Sequence, residues 1–293
     1  MKLRILLLAA ASVALPTAAP ATAAETPIAI VAAESFYGEV AAAIGGDRVV
    51  VDNVAVSPDT DPHDFAPPPS VARSVADARV VIMNGLDYDH WMEQLIEASP
   101  GGDRTVLDVA TLIGAAEGGN PHLWYDPQAV PALASALAAT LSEVDPVGAA
   151  GYASRLKDYA ASLDVLNQKI TSVRDRYAGT EVAASEPVFG PMAEALGLKM
   201  VGEDFQHAVM NETEPSARAI AEVEDDIKSG RVKVFFYNSQ VVDPMTERLL
   251  TVAENAGVPV VAVTESMPAG KTYTGWMLDQ LEATARALSA PAS

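Results

Sequence analysis

The feature that most constrains this chain is a regular alternation of short apolar strands with amphipathic helices. In the first half, strand-like runs such as PIAIVAA (27–33) and RVVIMNG (79–85) are followed by helical patterns such as ESFYGEVAAAIGG (34–46). Parallel strands need a crossover connection, which is usually a helix, and buried parallel strands are continuous apolar runs. The pattern therefore predicts an α/β fold, with a parallel sheet and helices on its faces.

The alternation stops for one long helical pattern and then begins again. Residues 147–179 carry apolar side chains every three or four positions and contain no proline. Some 30 residues of helix would be about 45 Å long, which suits a strut between two lobes. We predict two parallel-sheet α/β lobes joined by one long backbone helix. The predicted segments are a signal peptide at 1–24, an N-terminal α/β lobe at 25–146, the linking helix at 147–179 and a C-terminal α/β lobe at 180–293.

The start of the chain has the layout of a secretory signal peptide. Lys2 and Arg4 form a positive head, and ILLLAAASVAL (5–15) is an apolar run that is followed by small residues. This run is too short to span a bilayer, and we predict cleavage after Ala23 or Ala24. An uncleaved anchor is the alternative.

The composition limits the cellular compartments and the binding partners that this protein could have. The chain has no cysteine, so it offers no thiol for a disulfide, for thiolate chemistry or for lipid attachment. We therefore expect an exported protein of the periplasm that is not a lipoprotein, with secretion into the medium as the alternative. The formal net charge is −20, which would repel nucleic acid and anionic lipid and attract cations, although it could simply keep the protein soluble. We expect no direct insertion into the membrane.

Four residues that could bind a metal follow the predicted strands, at the edge where ligands bind in parallel α/β sheets. His63 and His122 belong to the first lobe, and Glu186 and Glu265 belong to the second. Imidazole nitrogen and carboxylate oxygen together suit Mn²⁺, Fe²⁺ and Zn²⁺, whereas Ca²⁺ and Mg²⁺ prefer shells of oxygen alone. The four side chains could form one site that faces across a cleft between the lobes.

Each of these residues also has an ordinary structural role available. A histidine in a loop is commonly a solvated polar residue. Glu186 precedes Pro187 and could stabilise the start of a helix, and Glu265 could be an exposed acid. No pair has the tight spacing of H-E-x-x-H, so spacing alone leaves metal binding open.

Longer motifs occur along the chain in a fixed order. They are DPHDFAPPPSVARSVADARVVIMNGLDYDHWMEQLIE, NPHLWYDPQAVPALASALAATLSEVDP, EPVFGPMAEALGLKMVG, NETEPSARAIAEVEDDIKSGRVKVFFYN and VTESMPAGKTYTGWM. Together they resemble the metal-specific solute-binding proteins of ABC importers, the zinc- and manganese-receptor family. The resemblance extends over nearly the whole predicted mature chain. It implies two α/β lobes bridged by a long backbone helix, with the metal in the cleft between the lobes.

The resemblance also implies a ligand set. His63 and His122 match the family's two N-lobe ligands. Glu186 stands where zinc-type members have histidine and many manganese-type members have glutamate. Glu265 stands where the family usually has aspartate, and its extra methylene changes the reach of the carboxylate.

Four other residues could contribute to such a site. Asp61 and Asp126 could orient the ligand imidazoles, or they could be turn and cap residues. We expect His90 to be a surface residue of a helix. His207, in a predicted polar loop QHAVMNETEPS (206–216), is a rival ligand.

These observations predict the periplasmic solute-binding component of an ABC importer. It would capture manganese or zinc, or iron, and pass the ion to a membrane permease that works with a cytoplasmic ATPase. The protein would be a monomer and not an enzyme. Two histidines with two glutamates, and the lack of a long histidine-rich loop, favour manganese over zinc. The alternatives are an exported zinc metallohydrolase and a surface adhesin with a structural metal.

Overall fold

The computed structural model describes residues 26–54, 65–99, 102–211, 213–241 and 243–290. The predicted signal peptide at 1–24 lies outside this range, and so do Asp61 and His63. No helix in the described part of the chain is long and apolar enough to cross a membrane.

Strands and helices alternate through both halves of the described chain. The strands are β1 (Ile28–Ala32), β2 (Val49–Asn53), β3 (Val80–Met83), β4 (Thr105–Asp108), β5 (Glu181–Ala184), β6 (Lys199–Val201), β7 (Phe235–Asn238) and β8 (Val260–Val263). The helices are α1 (Ser35–Gly45), α2 (Pro69–Asp77), α3 (His90–Ala98), α4 (Val109–Ile113), α5 (Ala129–Val144), α6 (Ala149–Ser162), α7 (Asp164–Tyr177), α8 (Gly190–Ala195), α9 (Glu203–Met210), α10 (Ala217–Lys228), α11 (Pro244–Asn255) and α12 (Tyr273–Leu288).

The strands form two four-stranded sheets with the same topology. The order is β2-β1-β3-β4 in the first sheet and β6-β5-β7-β8 in the second, and every neighbouring pair is parallel. In each sheet the strand order reverses at the central pair, and the crevice outside the carboxyl ends of such a pair is where α/β proteins bind ligands. The two α/β lobes predicted from the sequence are confirmed.

The two lobes share one hydrophobic core. Phe36 and Trp124 of the first half pack with Trp276 of α12, and the ring centroids of Phe36 and Trp276 are 5.7 Å apart. Tyr125 lies 5.4 Å from Phe189, which follows β5 in the second half. These side chains are nearly fully buried, so apolar surface of each lobe is removed from water by the other.

The predicted linking helix is divided in two. α6 ends at Ser162, α7 begins at Asp164, and Leu163 lies between them with helical dihedral angles. The N–H of Leu163 donates to the carbonyl of Ala160 at 3.1 Å, which is the tighter spacing of a 3₁₀ turn. The Ser162 hydroxyl donates to the Tyr159 carbonyl at 2.6 Å. The apolar spacing predicted the helical content but not this local tightening.

The first part of the segment predicted as a polar loop, which contains His207, is helical. α9 includes His207, and its first turn carries Glu203 and Asp204, as the positive end of a helix dipole favours. Phe205 and Gln206 are buried on one side, while His207 is exposed. The polar composition of the segment hid this amphipathic pattern.

Candidate metal site

His122 lies in the segment between α4 and α5 and is completely buried. Asn120 contacts both the backbone and the ring of His122. The Asn120 Oδ1 accepts from the main-chain N–H of His122 at 3.0 Å and lies 2.7 Å from the ring Nδ1. An amide oxygen can only accept, so the Nδ1 carries a proton, and in the neutral imidazole the Nε2 then keeps its lone pair. The Nε2 is buried and has no hydrogen-bond partner within the described part of the chain. This is the protonation pattern that a metal-binding imidazole requires.

Asn120 also connects the two lobes at this point. Its side-chain Nδ2 donates to the carbonyl of Pro187 at 2.6 Å. Pro187 follows Glu186 directly, so one asparagine fixes the ring of His122 and the backbone next to a candidate carboxylate ligand.

Glu186 and Glu265 extend from the carboxyl ends of β5 and β8, on either side of β7. Their exposed fractions are 2% and 1%. Asn238, the last residue of β7, donates from its Nδ2 to the Glu186 Oε2 at 2.6 Å and to the Glu265 Oε1 at 2.7 Å. The main-chain N–H groups of Glu265 and Ser266 donate to the Gln240 Oε1 at 2.6 and 2.8 Å. The sheet therefore places two buried carboxylates side by side.

The candidate ligands of the two lobes meet at the interface. The His122 Nε2 is 3.6 Å from the Glu265 Oε2, and both side chains are fully buried. Two donor atoms about 2.1 Å from one ion and at a tetrahedral angle to it lie about 3.4 Å apart. The spacing of these two atoms is therefore compatible with two ligands of one ion.

Tyr88 joins the Glu265 carboxylate from the first lobe. Its hydroxyl donates to the Glu265 Oε2 at 3.1 Å. Burial, followed by the negative charge of Glu265, holds the pKa of Tyr88 well above its usual range. The hydroxyl therefore stays protonated and acts as a donor to this oxygen.

A strained turn directly precedes Tyr88 in the chain. Gly85, Leu86 and Asp87 have successive φ values of 79°, 53° and 65°, a left-handed conformation that is uncommon for residues with a Cβ. A Cβ on Gly85 would also lie 2.6 Å from the Asp108 Oδ1. The Asp89 carboxylate holds the turn by accepting from the N–H of Gly85 at 2.9 Å. Strain of this kind persists where surrounding contacts maintain it, commonly at functional sites.

A buried pair of acids lies next to this turn. Glu34 follows β1, lies close enough to Asp89 for the two charges to interact, and lines a cavity of about 20 Å³ together with Tyr88 and Glu265. Burial, followed by the Asp89 charge, raises the pKa of Glu34 well above its usual range. Burial also raises the pKa of Asp89, to about 6. Hydrogen bonds from the main-chain N–H groups of Asn84 and Gly85 lower this pKa but do not offset the effect of burial. The surroundings of the candidate site are therefore rich in carboxyl oxygen, and burial favours the neutral form of these two acids.

The structure places three of the four predicted ligands at the lobe interface. His122 lies next to Glu265, and Glu186 is joined to Glu265 through Asn238, whereas the prediction for His63 lies outside the described residues. Asp126 does not orient His122: its Oδ1 accepts from the N–H of Gln128 at 2.8 Å, which is a turn role.

Sequence reasoning missed the two asparagines of the site. Asn120 and Asn238 are neutral, so a search for charged or imidazole ligands passes over them. Asn238 nevertheless ends a predicted strand, and the strand-end rule that selected Glu186 and Glu265 would have selected it too.

His90 lies outside the lobe interface. It is exposed on α3, with its Nδ1 at 3.3 Å from Asp87 and 3.1 Å from Glu93, as expected for a surface histidine. The three side chains place potential ligand atoms within 4.8 Å of one another. Because they are solvated, they are a weaker candidate than the buried set.

Comparison with protein families identifies the group to which this architecture belongs. Residues 30–287 match the family model of ZnuA, described as zinc-uptake complex component A, periplasmic. The chain belongs to this family. The resemblance to metal-receptor proteins that the motifs indicated is thereby confirmed.

Related sequences carry names that refer to several metals. A manganese-binding lipoprotein, MntA of Halalkalibacterium halodurans, is 27% identical over 84% of this chain and 78% of its own length. A metal ABC transporter substrate-binding lipoprotein, SloC of Streptococcus mutans, is 25% identical over 91% and 92%. An iron ABC transporter substrate-binding lipoprotein, MtsA of Streptococcus pyogenes, is 25% identical over 82% and 80%.

Solved structures show the same fold. The periplasmic zinc-binding protein TroA of Treponema pallidum superposes with a TM-score of 0.76 and 19% identity, over 90% of this chain and 100% of that one. A manganese-bound periplasmic metal-binding protein from Candidatus Liberibacter asiaticus gives a TM-score of 0.73 and 16% identity, over 90% and 100%. The two-lobe architecture is therefore that of known metal-binding proteins.

One prediction is contradicted by these relatives. MntA, SloC and MtsA are named lipoproteins, whereas the lack of cysteine had led us to predict a protein that is not a lipoprotein. We correct that prediction: the lack of cysteine in the printed sequence is not a sufficient ground to exclude a lipid anchor in this family. Export to the periplasm fits the family description.

Proposed function

We propose that this protein captures one divalent transition-metal ion, manganese or zinc, or iron, between its lobes and delivers it to a membrane permease. Its family consists of solute-binding proteins that act with an ABC permease and its ATPase, and these proteins are not enzymes. The prediction of a non-catalytic protein is thereby confirmed. The alternatives of a metallohydrolase and an adhesin find no support among the relatives.

The proposed ligands are His63, His122, Glu186 and Glu265. The observation that carries the proposal is the approach of the His122 Nε2 to the Glu265 Oε2, 3.6 Å apart and fully buried, at the interface of the lobes. Glu186 is tied to Glu265 through Asn238. His63 is included because its motif matches the family pattern.

The donor set explains the class of cargo. Two imidazole nitrogens and two carboxylate oxygens suit borderline divalent ions, and two carboxylates balance the charge of one such ion. Burying it therefore leaves little uncompensated charge. The glutamate at position 186 favours manganese or iron, while the general affinity order of nitrogen and oxygen sites favours zinc over manganese.

We propose that the protein acts as a monomer and docks on a permease of the same importer. The two lobes already enclose the candidate ligands within one chain, so a second copy is not needed to complete the described part of the site.

Calorimetric titration with Zn²⁺ and Mn²⁺ of protein freed of metal by a chelator tests the proposal. We expect one ion per chain. In His122→Ala the affinity should fall by more than about 100-fold, since losing an outer partner alone costs 10- to 100-fold. His90→Ala is the matched control, because it removes an exposed imidazole from the Asp87 and Glu93 group. Binding that is lost in His90→Ala and kept in His122→Ala would place the ion at the surface and refute the proposed site.

A further inference from the structure

Asn238 occupies a position from which a single side chain reaches both carboxylates. It ends β7, which lies between β5 and β8 in the second sheet, and Glu186 and Glu265 follow those two neighbours. Its exposed fraction is 1%. Its Nδ2 donates to the Glu186 Oε2 at 2.6 Å and to the Glu265 Oε1 at 2.7 Å. An amide nitrogen has two hydrogens, so each carboxylate receives one.

The orientation of this amide is fixed from the other side. The Asn238 Oδ1 accepts from the main-chain N–H of Gln240 at 3.1 Å, and the main-chain N–H of Asn238 donates to the Ser185 Oγ at 3.0 Å. A rotated amide would point its oxygen at two carboxylates and its nitrogen at an N–H donor. The contacts of the Nδ2 and those of the Oδ1 therefore favour the same orientation of the amide.

The amide engages one oxygen of each carboxylate. The second oxygen of Glu265, the Oε2, is the atom that lies 3.6 Å from the His122 Nε2 of the opposite lobe. An asparagine can do this without adding a positive charge, which would compete with the cation. A lysine or arginine at this position would neutralise the carboxylates instead.

We propose that Asn238 is a positioning residue that presents Glu186 and Glu265 to the ion through one oxygen each and thereby sets the preference among divalent ions. This inference rests on the proposed function. Carboxylates that each give one oxygen keep the number of donors low, which suits Zn²⁺ because its sites commonly have four donors. Manganese favours six donors and gains from a carboxylate that can contribute both oxygens. The asparagine thus shifts the site toward zinc, against the tendency of the glutamate at position 186.

The test compares Asn238→Leu, which has a similar volume and no donor, with the wild-type protein. Dissociation constants for Zn²⁺ and Mn²⁺ are measured by competition with a chelator of known affinity. We expect the Zn²⁺ affinity to fall about 10- to 100-fold, as for other outer partners. The factor by which the Mn²⁺ affinity falls should be smaller, by about tenfold or more. X-ray absorption of the zinc complex should show additional oxygen neighbours. Ser239→Ala is the control, because the hydroxyl of this exposed neighbour donates to the Val263 carbonyl and not to a carboxylate.

The outcomes separate this inference from the proposed function. If the wild-type protein binds neither ion, the proposed function fails and the inference fails with it. If the wild-type protein binds and Asn238→Leu leaves the ratio of the two dissociation constants unchanged, the inference alone is overturned, whether both affinities stay or fall together. Asn238→Ser, which keeps one donor, provides the same comparison with an intermediate expected shift if the leucine variant does not fold.

Discussion

The single residues discussed at the lobe interface are the proposed ligands and the neutral asparagines that contact them. The sequence was sufficient to select His122, Glu186 and Glu265, because they follow strand ends and match a family pattern. It was not sufficient to select Asn120 and Asn238, because an amide becomes informative only when its partners are known. Asp126 illustrates the reverse case: its charge suggested an orienting role, but its contact is local.

The orienting role of Asn120 predicts a loss of affinity without a loss of fold. In Asn120→Ala the His122 ring loses the acceptor at 2.7 Å that fixes its Nδ1 proton. Metal affinity should fall about 10- to 100-fold with one ion still bound per chain. Asn167→Ala, on an exposed part of α7, is the matched control in the same calorimetric titration. Unchanged affinity in Asn120→Ala would show that the ring is held by other contacts.

The buried acids predict a dependence of stability on pH. The folded-state pKa values of Glu34 and Asp89 are raised, that of Asp89 to about 6. Between about pH 4 and at least pH 6 the folded state therefore holds more protons than the unfolded state. Stability from these groups is fully present below their unfolded pKa values and is lost as pH rises through the raised ones.

Replacing one of these acids should reduce that loss. Glu34→Gln removes one of the two groups, so the fall in unfolding free energy between about pH 5 and pH 8 should be smaller than in the wild-type protein. Urea denaturation of metal-free protein measures this change, with Glu254→Gln as the control, because Glu254 is an exposed residue of α11. The same pH slope in Glu34→Gln and wild type would contradict this account.

At the scale of elements, the alternation of strands and helices predicted the sheets well, since buried parallel strands leave a clear apolar signal. The position of a break within a helical pattern was harder to predict from the sequence. Leu163 has the right spacing for an uninterrupted helix, and the division between α6 and α7 depends on backbone hydrogen bonds rather than on side-chain pattern. The helix that holds His207 was missed because its polar residues resemble those of a loop.

The start of α11 offers a test of local capping. The Asp243 carboxylate accepts from the N–H of Met245 at 2.6 Å and from that of Thr246 at 3.2 Å. The Thr246 side chain in turn accepts from the main-chain N–H of Asp243. Asp243→Ala should lower the unfolding free energy by about 1 kcal/mol, while Asp243→Ser should recover most of it. Equal losses in the two variants, by urea denaturation, would show that the side-chain cap is not what stabilises this helix.

At the scale of the whole molecule, the shared core makes the lobes one folding unit. The Tyr273 hydroxyl donates to the Trp124 carbonyl at 2.7 Å and the Tyr125 hydroxyl to the Thr264 carbonyl at 2.9 Å, next to the aromatic cluster. We expect a single cooperative unfolding transition, with coincident curves from tryptophan fluorescence and far-ultraviolet circular dichroism. Two separated transitions would show that the lobes unfold independently.

The central claim is that one ion lies between the lobes. Anomalous diffraction at the zinc absorption edge, on crystals of the zinc complex, locates the ion directly. The account predicts a single strong peak within bonding distance of the His122 Nε2 and of the Glu265 and Glu186 carboxylates. A peak at the exposed Asp87, His90 and Glu93 group, with none at the lobe interface, would contradict it.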